Sequence, residues 1–94
     1  MKGYWINRCH VTDQEIYAEY AKLAGPAIEK FGGKFLARGG DQDQLEGDSF
    51  ERTVIVEFDS KQQALKAYNS DEYKTALSFA ARSSIRNVVM VDGI

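Results

Sequence analysis

Residues 3–11, GYWINRCHV, place Tyr4, Ile6, Arg8 and His10 on one face and Trp5, Asn7, Cys9 and Val11 on the other, a period of two that predicts a strand. The next stretch changes period. Thr12 reads as a helix N-cap with Glu15 as its capping-box partner, and Val11 with Ile16 as a hydrophobic staple. The inner stripe expected of this helix is Ile16, Tyr20, Leu23, Ala27 and Phe31. Pro26 predicts a kink or a break, with the helix restarting there, and Gly32 a left-handed cap.

GGKFLARGG, residues 32–40, frames a short strand with glycines, and Gly39-Gly40 reads as a β-bulge. The polar DQDQLEGDS predicts a long hairpin arm reversing around Glu46–Ser49, and FERTVIVEF the next strand, rich in β-branched residues. Ser60 and Gln63 repeat the capping-box spacing before a short helix carrying Ala64, Leu65 and Tyr68. Ser70 caps another, whose stripe is Tyr73, Ala76, Leu77 and Ala80, and IRNVVMV closes the chain as a strand ended by Asp92-Gly93. The order β-α-β-β-α-β predicts an α+β, ferredoxin-like fold, one domain over residues 1–94, with the helices on one face of an antiparallel sheet. Both sheet faces carry large apolar groups, so the face without helices is expected to join a second copy in a homodimer.

Composition narrows the partners. With 44% hydrophobic and 28% charged residues and a net charge of -2, nothing draws the chain to nucleic acid or to an anionic membrane. Apolar runs such as Val88–Val91 are too short to cross a bilayer, and the start, MKGYW, has no leader-like apolar segment, so a cytoplasmic location is expected. The single cysteine, Cys9, has no internal disulfide partner.

GYWI, TDQEIYAEYAKLAGPAIEKFGGKFLARGG, LEGD, VIVEF, AYNSDEY and the closing VDG together resemble a small bacterial family, the domain of unknown function 1330 family. The resemblance spans nearly the whole chain. It implies a dimeric α+β barrel, two ferredoxin-like subunits joined sheet to sheet, and no established reaction. The wider superfamily includes cofactor-free monooxygenases, haem-degrading monooxygenases and muconolactone isomerases, so cofactor-independent chemistry is the expectation if there is any. Haem degradation in that superfamily joins a first-strand asparagine to a tryptophan and a histidine from the second helical region. Asn7 stands in strand one here, but residues 60–83 hold neither.

The candidate chemistry is sparse. Cys9 and His10 are neighbours on a strand and point to opposite faces, which excludes a nucleophile-base dyad, and one histidine with one cysteine makes no zinc site. DQDQLEGD begins like a calcium loop, but Leu45 and Arg52 occupy its fifth and twelfth positions, so no metal is expected. Tyr68 and Tyr73 flank a helix break, and their hydroxyls belong either to the core surface or to a helix-sheet cavity. Reversal around Gly47-Asp48 would set Arg38 nearly opposite Glu57, as a register-fixing ion pair or as an anchor for a ligand carboxylate or enolate, extended by Arg82 and Arg86. Catalytic candidates are therefore Arg38, Glu57, Tyr68 and Tyr73, and Trp5, Asn7 and Arg82 join them as ligand-binding candidates. The expected ligand is a small apolar, aromatic or acidic molecule, taken without a cofactor. The alternative is a non-enzymatic structural or regulatory domain.

Overall fold

A computed structural model describes residues 1–94. Strand β1 (Gly3–Val11) is followed by helix α1 (Gln14–Lys30), strands β2 (Lys34–Arg38) and β3 (Arg52–Phe58), helices α2 (Lys61–Tyr68) and α3 (Asp71–Ser83), and strand β4 (Ser84–Asp92). The four strands form one antiparallel sheet in the order β2-β3-β1-β4, the ferredoxin-like arrangement. No helix is long and apolar enough to cross a membrane.

All three helices lie over one face of the sheet. Trp5, Asn7 and Cys9 of β1 and Val54, Val56 and Phe58 of β3 are buried beneath them, while Tyr4, Ile6 and Arg8 alternate onto the other face. That second face has no helix on it. Ile85, Val89 and Val91 of β4 remain exposed there at 60%, 55% and 46%.

Three local expectations about α1 are corrected. Its N-cap is Asp13, whose side chain accepts from the Ile16 amide at 3.1 Å, so the Thr12–Glu15 capping box does not form. The buried stripe is Tyr17, Tyr20, Ala24, Ala27 and Ile28, turned from the expected one, and Leu23 is 40% exposed. The helix also runs through Pro26 without a break. Pro26 sits on the exposed side, where water serves the carbonyl that loses its partner, and Gly25 has no Cβ to crowd the proline ring. Gly32 does cap the helix as expected: its φ is +86°, and the amides of Gly32 and Gly33 return to the Glu29 and Ile28 carbonyls at 3.0 Å.

The β2-β3 connection departs further from expectation. The bulge falls at Leu36, between Phe35 and Ala37, and not at Gly39-Gly40. No strand continues past Arg38, so the long hairpin arm is an irregular loop over residues 39–51. This loop is tied to the open sheet face, where Arg8 donates to Gln44 Oε1 and the Phe50 carbonyl, and Thr53 Oγ1 donates to Gln42 Oε1 at 2.6 Å. Ser60 and Ser70 cap α2 and α3 as expected, accepting from the Gln63 and Tyr73 amides at 3.0 and 3.2 Å.

Candidate functional site

Helix α1 packs chiefly against α3 and only weakly against the sheet. Beneath it, over β2 and β3, a cavity of about 320 Å³ stays open. Its helix wall is small where space is needed. Ala21, Ala24 and Gly25 line it between Tyr17 and Tyr20 on one side and Ile28 on the other. A Cβ built on Gly25 would meet nothing within 4 Å. The sheet wall is Trp5, Asn7, Phe35, Arg38, Arg52, Val54 and Val56, so the lining is mostly apolar with a few polar groups, the usual make-up of a small-molecule site.

The Leu36 bulge decides which groups reach this wall. On a regular strand, Phe35 and Arg38 would face opposite sides, since side chains alternate. Two residues spend one pairing position at the bulge, so Phe35 pairs with Val56 and Arg38 with Val54, both on the helix side. The Arg38 guanidinium lies 4.2 Å from the Phe35 ring centroid. Gly39 turns the chain away at φ +66°, a conformation that favours glycine, and its missing Cβ leaves room for Arg52 Nη1.

Polar groups in and behind the cavity form two short chains. In the first, Arg52 Nε donates to Tyr17 Oη at 3.1 Å, and Tyr17 Oη lies 3.7 Å from Cys9 Sγ. In the second, Tyr20 and Tyr73 join their hydroxyls at 2.8 Å, and Arg86 Nη2 donates to Tyr73 Oη at 3.0 Å. Burial pushes the Tyr17, Tyr20 and Tyr73 hydroxyls up, so all three stay protonated near neutrality and serve as hydrogen-bonding groups, not as bases. Burial works against the charge on Arg86, and the Tyr73 hydroxyl that accepts from it offsets that cost. Three buried polar atoms have no partner: Asn7 Oδ1, Arg86 Nε and Arg86 Nη1. Asn7 is only 3% exposed and lines the cavity, which makes its orphaned oxygen the sharpest polar feature of the site.

The profile of the family "Domain of unknown function (DUF1330)" matches residues 2–94. The chain belongs to that family. Its fold is shared with a protein of unknown function from Rhodopseudomonas palustris, at a TM-score of 0.82 and 18% identity over 99% of this chain and 82% of that one. A dimeric protein of unknown function with a ferredoxin-like fold from Bacteroides fragilis aligns at a TM-score of 0.66 and 12% identity, covering 98% of this chain and 96% of that one. SnoaB, a cofactor-independent oxygenase from Streptomyces nogalater, aligns at 0.68 and 10% identity, covering 99% and 93%. No curated protein matches the chain. At these identities the likeness shows the fold alone.

The sequence-predicted residues of this DUF1330 chain separate into three places. Trp5, Asn7 and Arg38 meet at the cavity. Tyr73 stands behind it through Tyr20, and Tyr68 packs on Tyr73 and Trp5 at 5.4 and 5.5 Å between ring centroids. Glu57 and Arg82 are elsewhere. Glu57 pairs with Lys34 across the β2-β3 ladder and accepts from Tyr4 Oη at 3.0 Å on the open face, so the expected Arg38-Glu57 pair does not exist. The chain reverses earlier than around Gly47-Asp48, which sets Arg38 opposite Val54, three positions from Glu57, and the Leu36 bulge puts it on the other face of the sheet. Arg82 lies over the Phe79 ring and donates to the Ser78 carbonyl on the surface of α3. Arg52 and the α1 tyrosines were absent from the chosen candidates. Their signal is period: Arg52 shares a strand face with Val54 and Val56, and Tyr17 lies one turn before Ala21 and two before Ala24.

Proposed function

We propose that the protein is a homodimeric, cytoplasmic small-molecule-binding protein that seats a flat apolar or aromatic ligand in the cavity between α1 and the sheet. The observation that carries this reading is the buried Asn7, which lines a largely apolar space of about 320 Å³ and has no partner for its Oδ1. An empty void with apolar walls needs no such group. A site for a ligand with one polar edge does.

The chemistry available there is electrostatic. No aspartate, glutamate or histidine lines the cavity, so proton abstraction by a side chain of ordinary basicity is not offered. Asn7, the tyrosine hydroxyls and the arginines instead favour negative charge developing on a ligand oxygen. Turnover without a cofactor therefore suits ligands that ionise on their own, such as a dihydroxyaromatic, and the fold likeness to the oxygenase SnoaB agrees with that class of reaction. Pure binding is the second reading, favoured by the same lack of a base.

The homodimer rests on the uncovered apolar face of β4 and its neighbours and on the dimeric state named for the Bacteroides fragilis protein. Light scattering across a dilution series checks it. Titration with 2-naphthol checks the cavity: saturable binding to the wild type and its loss in Ala24→Phe, with the variant still folded by circular dichroism, is the expected result. Equal binding by a folded Ala24→Phe sinks the cavity reading. Oxygen consumption with an added dihydroxynaphthalene above the buffer rate selects catalysis over simple binding.

A further inference from the structure

The chain has five arginines, Arg8, Arg38, Arg52, Arg82 and Arg86, and none takes part in an ion pair. Every ion pair is made by a lysine or by His10 with an acid at the surface. Two of the unpaired guanidiniums, Arg38 and Arg52, stand on the cavity wall, where no carboxylate accompanies them. Arg38 makes no hydrogen bond, and Arg52 uses only Nε, on Tyr17, which leaves its Nη pair uncommitted. Both rest on aromatic rings, Arg38 on Phe35 at 4.2 Å and Arg52 on Tyr17 at 5.5 Å, contacts that hold a guanidinium in place without neutralising it. In an acidic chain of net charge -2, the concentration of uncompensated positive charge on one apolar cavity is a local feature, not a reflection of composition.

Deeper in the wall, the side-chain amide of Asn7 lacks a partner for Oδ1. A hydroxyl both donates and accepts, so it satisfies a buried amide in either orientation of its oxygen and nitrogen. A neutral hydrocarbon satisfies neither end of the cavity.

We propose that the ligand is a hydroxyaryl carboxylate, its carboxylate held by Arg38 and Arg52, its ring on the apolar wall and its hydroxyl on Asn7. Planar forked guanidiniums match a carboxylate, and charge-assisted bonds are the strong kind. The Leu36 bulge and Gly39 then have a shared purpose: one turns Arg38 inward, the other makes room for Arg52. This assignment rests on the cavity reading above and adds the charge and polarity of what fills it.

Calorimetric titration of the full chain with 6-hydroxy-2-naphthoate, 2-naphthoate and 2-naphthol separates the two. The wild type is expected to bind the hydroxy acid about tenfold or more tighter than 2-naphthol, and 2-naphthoate in between. Arg38→Gln removes the preference for the acid while leaving 2-naphthol binding in place; Arg38 is exposed and makes no hydrogen bond, so the variant folds. Asn7→Leu removes the gap between hydroxy acid and plain acid. Equal affinity for acid and naphthol overturns the carboxylate assignment and leaves the cavity reading standing. Binding of none of the three overturns both, and an acid preference unchanged in Arg38→Gln and in Arg52→Gln places the anion elsewhere and also overturns the assignment.

Discussion

Under α2 and α3, Trp5 meets the Tyr73 ring edge-on at 4.8 Å and Ala64, Ala76 and Ala80 have no exposed surface, whereas under α1 the same sheet face borders about 320 Å³ of open space. Both halves use alanines on the helix side. In the first, Ala64 and Ala67 let α2 come down onto the sheet, and aromatic rings fill what remains: Phe58 stacks on Trp5 at 6.2 Å, and Tyr68 reaches Trp5 and Tyr73. In the second, α1 leans on α3 instead, and Ala21, Ala24 and Gly25 face a gap. Small residues alone do not say whether a layer closes or opens. The neighbour that carries the helix decides.

This contrast can be broken most forcefully at Trp5, which belongs to both halves. Trp5→Ala should cost about 3–5 kcal/mol in urea unfolding, since it empties the centre of the packed half; a loss below about 1 kcal/mol would mean that the aromatic cluster is not what holds the sheet to α2 and α3. Next in size are the hydroxyl chain and the packed alanines. Tyr73→Phe strips Arg86 of its hydroxyl acceptor and should cost about 1–3 kcal/mol. Ala76→Leu should cost a similar ~1–3 kcal/mol by overpacking a position with no free volume. Ala24→Leu is the paired control: the cavity absorbs the added carbons, and the change should stay below about 1 kcal/mol. Equal penalties for the two leucines would mean that the two halves are equally full.

The smallest effect lies outside both halves. Glu51 accepts from His10 at 2.9 Å, and this hydrogen bond holds its carboxyl below the usual value of 4.5. A depressed carboxylate adds stability that is present above the unfolded pKa and is lost as pH falls through the folded one. A shallow acid-side decline that lessens in Glu51→Gln is therefore expected, with Glu72 beside Lys30 carrying the rest, and the partners are exposed enough for salt to weaken it. Thermal unfolding between neutral pH and pH 3 with both chains would reveal it.

Period and caps made the element order readable. β1 and the Ser60 and Ser70 caps follow from local chemistry that the tertiary structure leaves alone. Features set by long-range pairing were not readable. Nothing in GGKFLARGG singles out Leu36 as the extra residue, because a bulge depends on how β3 is presented to it, and nothing in the polar stretch fixes where the chain reverses, which is what sets Arg38 opposite Val54 and not Glu57. The stripe of α1 was misjudged for a related reason: hydrophobicity ranked Leu23 above Ala24, but the helix turned its small residues toward the sheet. Of the candidate site, Trp5, Asn7 and Arg38 were within reach of the sequence, since a polar side chain on the buried face of a strand stands out against its neighbours.

The bulge at Leu36 also has a consequence for how such a site is gained or lost. Side chains on a strand have parity, and one inserted residue reverses it for everything downstream until the strand ends. β2 ends at Arg38, two residues later, so the reversal readdresses Ala37 and Arg38 alone and leaves the partner strand's pattern untouched. A ladder that paired Leu36 instead of looping it out would set Arg38 opposite Thr53 on the open sheet face, whereas deletion of Leu36 would leave Arg38 opposite Val54. The charge of this cavity is thus controlled by whether one edge-strand residue enters the ladder as much as by the identity of any residue in it.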